Sequence, residues 1–460
     1  MATIAELAKE RTDMYLDLYN GNVPSRVPVN NPLTLDAMFQ YADASIAELY
    51  WDMSKSEAIF EKVCTDFYGD NIPGGTRRYP SFYQLLGYKA FVMASTGHLQ
   101  RPEVHGMEED EYDALIANPL DFMVETVLPR LCTELDTTPE LRSLAMAKAF
   151  KAWTDEFMTV GMIMGKIQDK FGFPKIARGQ SLAPFDCVAD FLRGFAGATK
   201  DLYRIPEKVK AACEAVTPLL IKRGQFPFPA DWGITMIPLH MAPYLRTKDA
   251  ELYFFPTLIK VVKTLKEMGI SVDLSLQVKY DRFIDYLQDL PENTLLIPEQ
   301  SDDYQNFKNK LGKKYIITGL YPVALLMTGT KEQCIDKAKE MLDIFAPGGG
   351  YIFGFDKAVL DLTGNTEANL KAVLEYVYAN GSYSAAERAG NVEIKPKTHK
   401  RQEILTDIEA NIKSKYYTSW IDYKQAHPEL YQGKILDSVI GPKLDRYENL
   451  LFSFIINKVC

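Results

Sequence analysis

Residues 313–380 constrain the fold of this chain more than any other stretch. A short β-rich run at 315–318 (YIIT) ends at Gly319. A polar-faced helix is predicted over about 331–345. The glycine triplet 348–350 leads into a second β-rich run at 351–355 (YIFGF), and another helix begins near Glu367. Strand, helix, strand and helix joined by short connections are the signature of parallel β/α units. Barrels built from such units place their chemistry just past each strand.

The pattern extends upstream. Residues 233–239 (GITMIPL), 270–276 (ISVDLSL) and 294–297 (TLLI) read as strands, with helices predicted at 255–268 and 281–287. Four or five strand–helix repeats in the C-terminal two thirds predict an α/β fold, a (β/α)8 TIM barrel. The N-terminal part is less regular. A helix ends near Asn20-Gly21, a first strand is placed at 25–29 (SRVPV) and a second at 89–94. The acidic run 107–112 (MEEDEY) reads as a solvated turn. Helical periodicity is long over 141–171, where Met158, Met162 and Met164 read as core filler, and further helices fall at about 186–199 and 207–221. From about Ala386 the chain turns basic and polar, then helical to its end. The expected division is therefore a barrel with N-terminal helical elaborations over 1–385 and a helical C-terminal extension over 386–460. That extension is open to three roles: packing across the barrel, covering its site or mediating a homodimer.

A chain of 460 residues buries enough surface to need no disulfide or metal staple. The net charge of −9 argues against a nucleic-acid partner. The six cysteines are scattered, which reads as free thiols in a reducing compartment. The N-terminal helix lacks an apolar signal core and no apolar run reaches bilayer length, so the expectation is a cytoplasmic protein without a membrane partner.

Neither a GxxxxGK[ST] loop nor a GxGxxG after a strand occurs, and the glycine triplet reads as a tight turn. HxC, CxxC and HExxH are absent and there are five histidines, so a dedicated zinc site is not expected. His240 is the most suggestive single residue, because it directly follows a predicted strand and imidazole titrates near neutrality. Gln277, Glu299, Gln300, Tyr321 and Asp356 also fall at or just past strand ends. Glu299 and Asp356 are the candidate acid/base carboxylates. Asp186, in APFD, is either a pocket residue or a helix N-cap. Arg193 and Arg204 either bind an anionic group or hold neighbouring helices by salt bridges.

Several of these segments resemble one family. Residues 184–206 (PFDCVADFLRGFAGATKDLYRIP), 255–291 and 313–380 look like the uroporphyrinogen decarboxylase superfamily, and 20–29 (NGNVPSRVPV) looks like its opening strand. GLYPVALLMTGTKEQ resembles its "GN-x-P…LL…GT-x-E" segment and GGGYIF its glycine-led last strand. The resemblance implies a β/α barrel. Among its branches, the decarboxylases carry an N-terminal arginine-rich motif and one methyltransferase group carries an HxC…C zinc site, and this chain has neither. The branch it resembles is the first methyltransferase of anaerobic corrinoid-dependent O-demethylase systems. That branch implies methyl transfer from a small donor, such as an aryl methyl ether, to a corrinoid (cobalamin) on a separate partner protein. No DxHxxG corrinoid motif occurs here, so no tightly bound cofactor is expected. In that scheme His240 or Glu299 is the general acid, and Asp186, Arg193, Gln277, Tyr321 and Asp356 line the substrate site. The alternatives are a uroporphyrinogen-type decarboxylase and a non-catalytic barrel serving as a binding or assembly subunit.

Overall fold

The computed structural model describes residues 3–74, 79–94, 97–226, 230, 232–394, 400–412, 414–430, 433 and 435–459. The strands are β1 (Val92–Met93), β2 (Leu99–Gln100), β3 (Ala177–Gln180), β4 (Gly233–Leu239), β5 (Ser271–Lys279), β6 (Leu295–Gln300), β7 (Ile316–Ile317), β8 (Leu320–Tyr321) and β9 (Gly354–Phe355). The central sheet runs β3-β4-β5-β6-β7, all parallel, with Ile234 opposite Ser271, Asp273 opposite Leu295 and Leu295 opposite Ile316.

The ladder continues past β7. Ile317 bridges Tyr351, β8 pairs with β9, and Phe353 bridges Val29 in parallel. On the far side of Val29, the amides of Asp70 and Gly74 donate to the carbonyls of Val29 and Leu33. Eight staves result, at 26–34, 70–74, 177–180, 233–239, 271–279, 295–300, 316–321 and 351–355. This is the expected (β/α)8 barrel.

Two strand expectations change. Residues 25–29 do take part in the wall, but through isolated bridges rather than a continuous strand. Residues 89–94 are not a barrel stave. Val92 and Met93 pair antiparallel with Gln100 and Leu99 in a hairpin within the long insertion between the second and third staves. The expected helix at 186–199 is broken into a π-helical turn, Cys187–Leu192, and a helix, Phe195–Arg204, because Gly194 sits at φ 78°. Met158 and Met162 are exposed on the long helix Pro139–Phe171, not core filler; its buried contacts come from Ala149, Val160, Ile163 and Ile167.

The helix Ile4–Tyr19 explains why the barrel needs no larger core. Thr3 and Glu6 form a capping box that fixes its start. Its buried Tyr15, Leu18 and Tyr19 pack against Ile234, Leu295, Ile316 and Ile352, which lie near the starts of their strands. The helix thus plugs the barrel at the N-terminal ends of the strands. Burying three such side chains contributes about 1.5–3 kcal/mol each.

The C-terminal extension gathers at that same end and flank. Arg401 donates to the carbonyls of Met268 and Ala230, just ahead of β5 and β4. Lys222, buried at the end of the helix Pro206–Arg223, reaches Glu409, Tyr417 and Asn449. The last helix, Gly441–Val459, packs Phe454 against Trp153 and Phe150 of the long helix. Of the three roles open to the extension, packing across the barrel is the one these contacts display. Among the described residues no helix is long and apolar enough to cross a membrane. Cys64, Cys132, Cys187, Cys213 and Cys334 are free thiols, and Cys460 and His399 lie outside the described residues.

Candidate active site

Strand β4 ends at Leu239, and His240 stands at the mouth of the barrel. Two carboxylates from the turn after β3 hold it. Asp186, fully buried, accepts the backbone N–H of His240 and of Met241, both at 2.9 Å. Asp190 lies 2.8 Å from the His240 Nδ1. The π-helical turn that carries Asp190 widens the helix locally, a feature common at functional sites. Arg101, which follows the hairpin strand β2, donates to the other oxygen of Asp190 at 3.2 Å and lies over the Phe191 ring, 4.6 Å from its centroid. The insertion therefore delivers a cation to the edge of the site.

The environment drives the three titratable groups apart. Burial pushes the Asp186 carboxyl up to about 7, against the opposing pull of His240 and the two backbone amides. Burial alone would lower the His240 imidazole, yet its bond to Asp190 and the charges of Asp186 and Asp190 hold it above its ordinary value. Burial would raise Asp190, and its bond to His240, together with Arg101, holds it below the usual carboxylate range. The product is a hydrogen-bonded imidazole–carboxylate pair in which the cationic form of His240 is favoured. Its Nε2 has no protein hydrogen-bond partner among the described residues and is open to a ligand.

The inner face of the barrel leads down from this point. Ile234 belongs to the plugged floor, so the alternation along β4 places Met236, Pro238 and His240 on the same face. Met236 is 36% exposed although its strand is central and helices cover the outer face, so the lumen above the floor is open to solvent. On β5 the same face carries Asp273, Ser275 and Gln277, and on β6 it carries Ile297 and Glu299. Glu299 accepts the Val278 backbone N–H at 3.0 Å. Val278 sits at φ 65°, a strained conformation for a β-branched residue, where the β5–β6 register shifts. Strain at a barrel mouth is a feature of functional sites. Deeper in the lumen, Asp273 accepts the Tyr19 hydroxyl at 2.5 Å and lies 3.7 Å from the Arg178 guanidinium.

The structure thus joins His240 and Asp186 directly and sets Gln277 and Glu299 on the same inner face. Arg193 and Tyr321 lie elsewhere, and Asp356, just past β9, is engaged in a helix cap. Arg193 is tied to buried Asp201 at 2.8 Å, so of its two readings the salt bridge between neighbouring turns holds. Tyr321 is fully buried on the outer face, its hydroxyl on the carbonyl of Cys334 in the helix Lys331–Phe345. Asp356 accepts the N–H of Val323 at 2.9 Å and so caps the start of the helix Val323–Thr328. Asp186 is not an N-cap. Its partners are the two amides after β4, which makes it a positioning residue for His240. Sequence reasoning passed over Asp190, Arg101 and Arg178. The first carried a signal, since it stands four residues after Asp186 and shares its helical face.

The family model for uroporphyrinogen decarboxylase (URO-D) matches residues 121–379, more than half of the chain. The chain belongs to the uroporphyrinogen decarboxylase family. Its fold is also similar to that of a solved structure, a methyltransferase from Methanosarcina mazei. The TM-score is 0.54 at 13% sequence identity, covering 80% of this chain and 98% of that one. A comparison with curated protein sequences finds no match. Among the described residues, no group of three or more His, Cys, Asp or Glu side chains is placed to hold a metal ion. Arg193 and Tyr321 are thus engaged in structural contacts, while His240, Asp186, Gln277 and Glu299 gather at one end of the URO-D-family barrel.

Proposed function

We propose that this URO-D-family barrel is a methyltransferase that takes a methyl group from a small methylated donor, a methyl ether, and passes it to the cobalt of a separate corrinoid protein. The observation that carries the reading is the pairing of His240 with Asp190 at the mouth of an open lumen. An ether oxygen is a poor leaving group, so the C–O bond breaks readily only if that oxygen gains a proton as it departs. The His240 Nε2–H supplies the proton, and Asp190 stays ionised and steadies the imidazolium beforehand. The acceptor, a Co(I) corrinoid held by the partner, supplies the nucleophile, so this chain contributes position and acid assistance. Arg401, at the start of the C-terminal extension, packs at the opposite ends of the strands, away from the mouth where a protein-bound acceptor would dock. Glu299 and Gln277 stand on the same face to orient the donor, and the methyltransferase with the similar fold favours this branch of the family.

The test mixes the protein with a Co(I) corrinoid protein and a panel of methyl ethers and follows the methyl-Co(III) absorption. His240→Ala is expected to slow transfer by about 100-fold or more, the size of a lost general acid. An unchanged rate in that variant removes His240 from the mechanism. No spectral change across the panel with a competent acceptor sinks the methyltransferase reading.

A further inference from the structure

The lumen holds a cation that the acid at its mouth does not use. Arg178 is the second residue of β3 and lies opposite Ile234 in register. Ile234 faces the plugged floor, so Arg178 faces inward. Its neighbour Gly179 confirms the parity: a Cβ there would meet the Thr235 Oγ1 and the carbonyl of Gly224 on the outer side. The Arg178 side chain is 53% exposed, and among the described residues its one ion-pair contact, Asp273 at 3.7 Å, is too long for a hydrogen bond.

Asp273 is held from below by Tyr19, and its carboxylate fixes the direction of the guanidinium without saturating it. A guanidinium carries five donors in a planar fork suited to a carboxylate, and most of these donors have no partner among the described residues. Exposed Met236 and partly buried Ile297 and Pro238 supply apolar wall above it. Gln180, exposed and two residues further along β3, supplies a second polar group on the same face. From Met236 to His240 is four residues, about 13 Å of strand, so one small molecule spans from the guanidinium level toward the mouth.

We propose that Arg178 is the anion seat of this lumen, and that the ligand it takes is a small organic monocarboxylate whose far end lies toward His240. The assignment rests on the methyltransferase reading only for what that far end carries; the seat itself stands on the geometry of β3, β4 and β5.

The experiment is calorimetric titration of the full chain with acetate, methoxyacetate, benzoate and anisate, each beside its neutral primary amide. At least one carboxylate is expected to bind at least tenfold more tightly than its amide. Arg178→Gln is expected to erase that preference and Arg178→Lys to keep part of it, because lysine retains the charge but not the fork. Melting curves establish that the variants fold; should Arg178→Gln fail to fold, the wild-type acid–amide comparison and Arg178→Lys decide. Equal affinity for acid and amide, no binding by any of the four acids, or full binding in folded Arg178→Gln overturns the seat. Carboxylate binding without methyl transfer from any methylated acid removes the methyltransferase reading and leaves the seat standing. Transfer from neutral ethers alone does the reverse.

Discussion

Replacing Asp190 with Asn tests whether the carboxylate sets the protonation of His240. Asn keeps the size and an acceptor oxygen but removes the charge. The contact is short, 2.8 Å, and the two side chains are 20% and 23% exposed, so the bond is neither fully solvated nor fully dry. A hydrogen bond to a charged group contributes about 1.5–3 kcal/mol. Residual water access and the competing Arg101 contact place this one at the lower end, so the cationic imidazole loses about 1.5–2 kcal/mol of preference. Arg101 adds in the same direction, because its charge disfavours the imidazolium and loses its own carboxylate partner. Carbon-13-labelled histidine, followed by NMR through the pH range, reads the change without any substrate. The His240 resonance is identified as the one missing in His240→Gln, and its midpoint is expected to fall to lower pH in Asp190→Asn. The stability linkage has a defined sign. A histidine raised above its unfolded value of 6.5 contributes stability that is complete below that pH and lost as pH rises through the raised folded value. Asp190→Asn therefore costs more stability at pH 6 than at pH 9. A midpoint that stays in place, or rises, refutes the pairing as the cause of the shift.

Further outcomes follow from other contacts. Asp70 is fully buried, accepts bonds from Arg11, Arg26, Tyr68 and the Val29 amide, and anchors the first two staves together. Asp70→Asn leaves the buried Arg11 guanidinium without a carboxylate and Arg26 with Glu10 alone, and is expected to cost about 3 kcal/mol; at about 1 °C per kcal/mol for a chain this long, calorimetry should show a Tm lower by about 3 °C. Tyr321→Phe removes one hydrogen bond to Cys334 and should cost about 1 kcal/mol in urea unfolding with methyl transfer unchanged, whereas a slower reaction would return the phenol to the site. Val278→Gly relieves a left-handed β-branched residue, worth roughly 1–2 kcal/mol, against a glycine entropy cost of about 0.5–1 kcal/mol. Net stabilisation in urea is the expected sign, and clear destabilisation contradicts the strain.

The parts legible in the sequence are those whose pattern is set by one dominant environment. Strand β4 falls on the predicted residues because apolar side chains run between a glycine and a histidine. The helix Lys331–Phe345 falls on its predicted range because Thr330 and Gln333 form a capping box at its start. Strand β3 was invisible for the opposite reason. Its inward residues are Arg178 and Gln180, polar because the lumen holds solvent, and its outward residues are Ala177 and Gly179, too small to advertise a core. The second stave contains Pro73 and Gly74 and reads as a turn. The site divides in the same way. The position of His240 just past a strand was legible because a strand end is a topological landmark. Tyr321 sits at a comparable landmark but faces the helices, since in a two-residue strand a shift of one position reverses the face. Asp190 stands on a π-turn, so its i, i+4 spacing from Asp186 was the one signal it carried.

The two ends of the barrel differ in how completely their charges are satisfied, and that difference locates the function better than any single residue. At the N-terminal ends of the strands, Asp70 receives its full complement of donors. Lys222 there holds three partners. Such groups are rigid and have nothing left to offer a ligand. Within the lumen and at the mouth, Arg178 meets its carboxylate at a distance too long to bond. His240 uses one ring nitrogen and keeps the other free, and Glu299 takes one backbone amide on one oxygen. Water in the lumen can complete such groups, and a ligand that displaces it must replace those bonds. Three of them facing one solvent-filled lumen make sense if a polar ligand completes them. Its binding should then raise the melting temperature of the wild type more than that of a folded Arg178→Gln variant, because only the wild type recovers the missing bond.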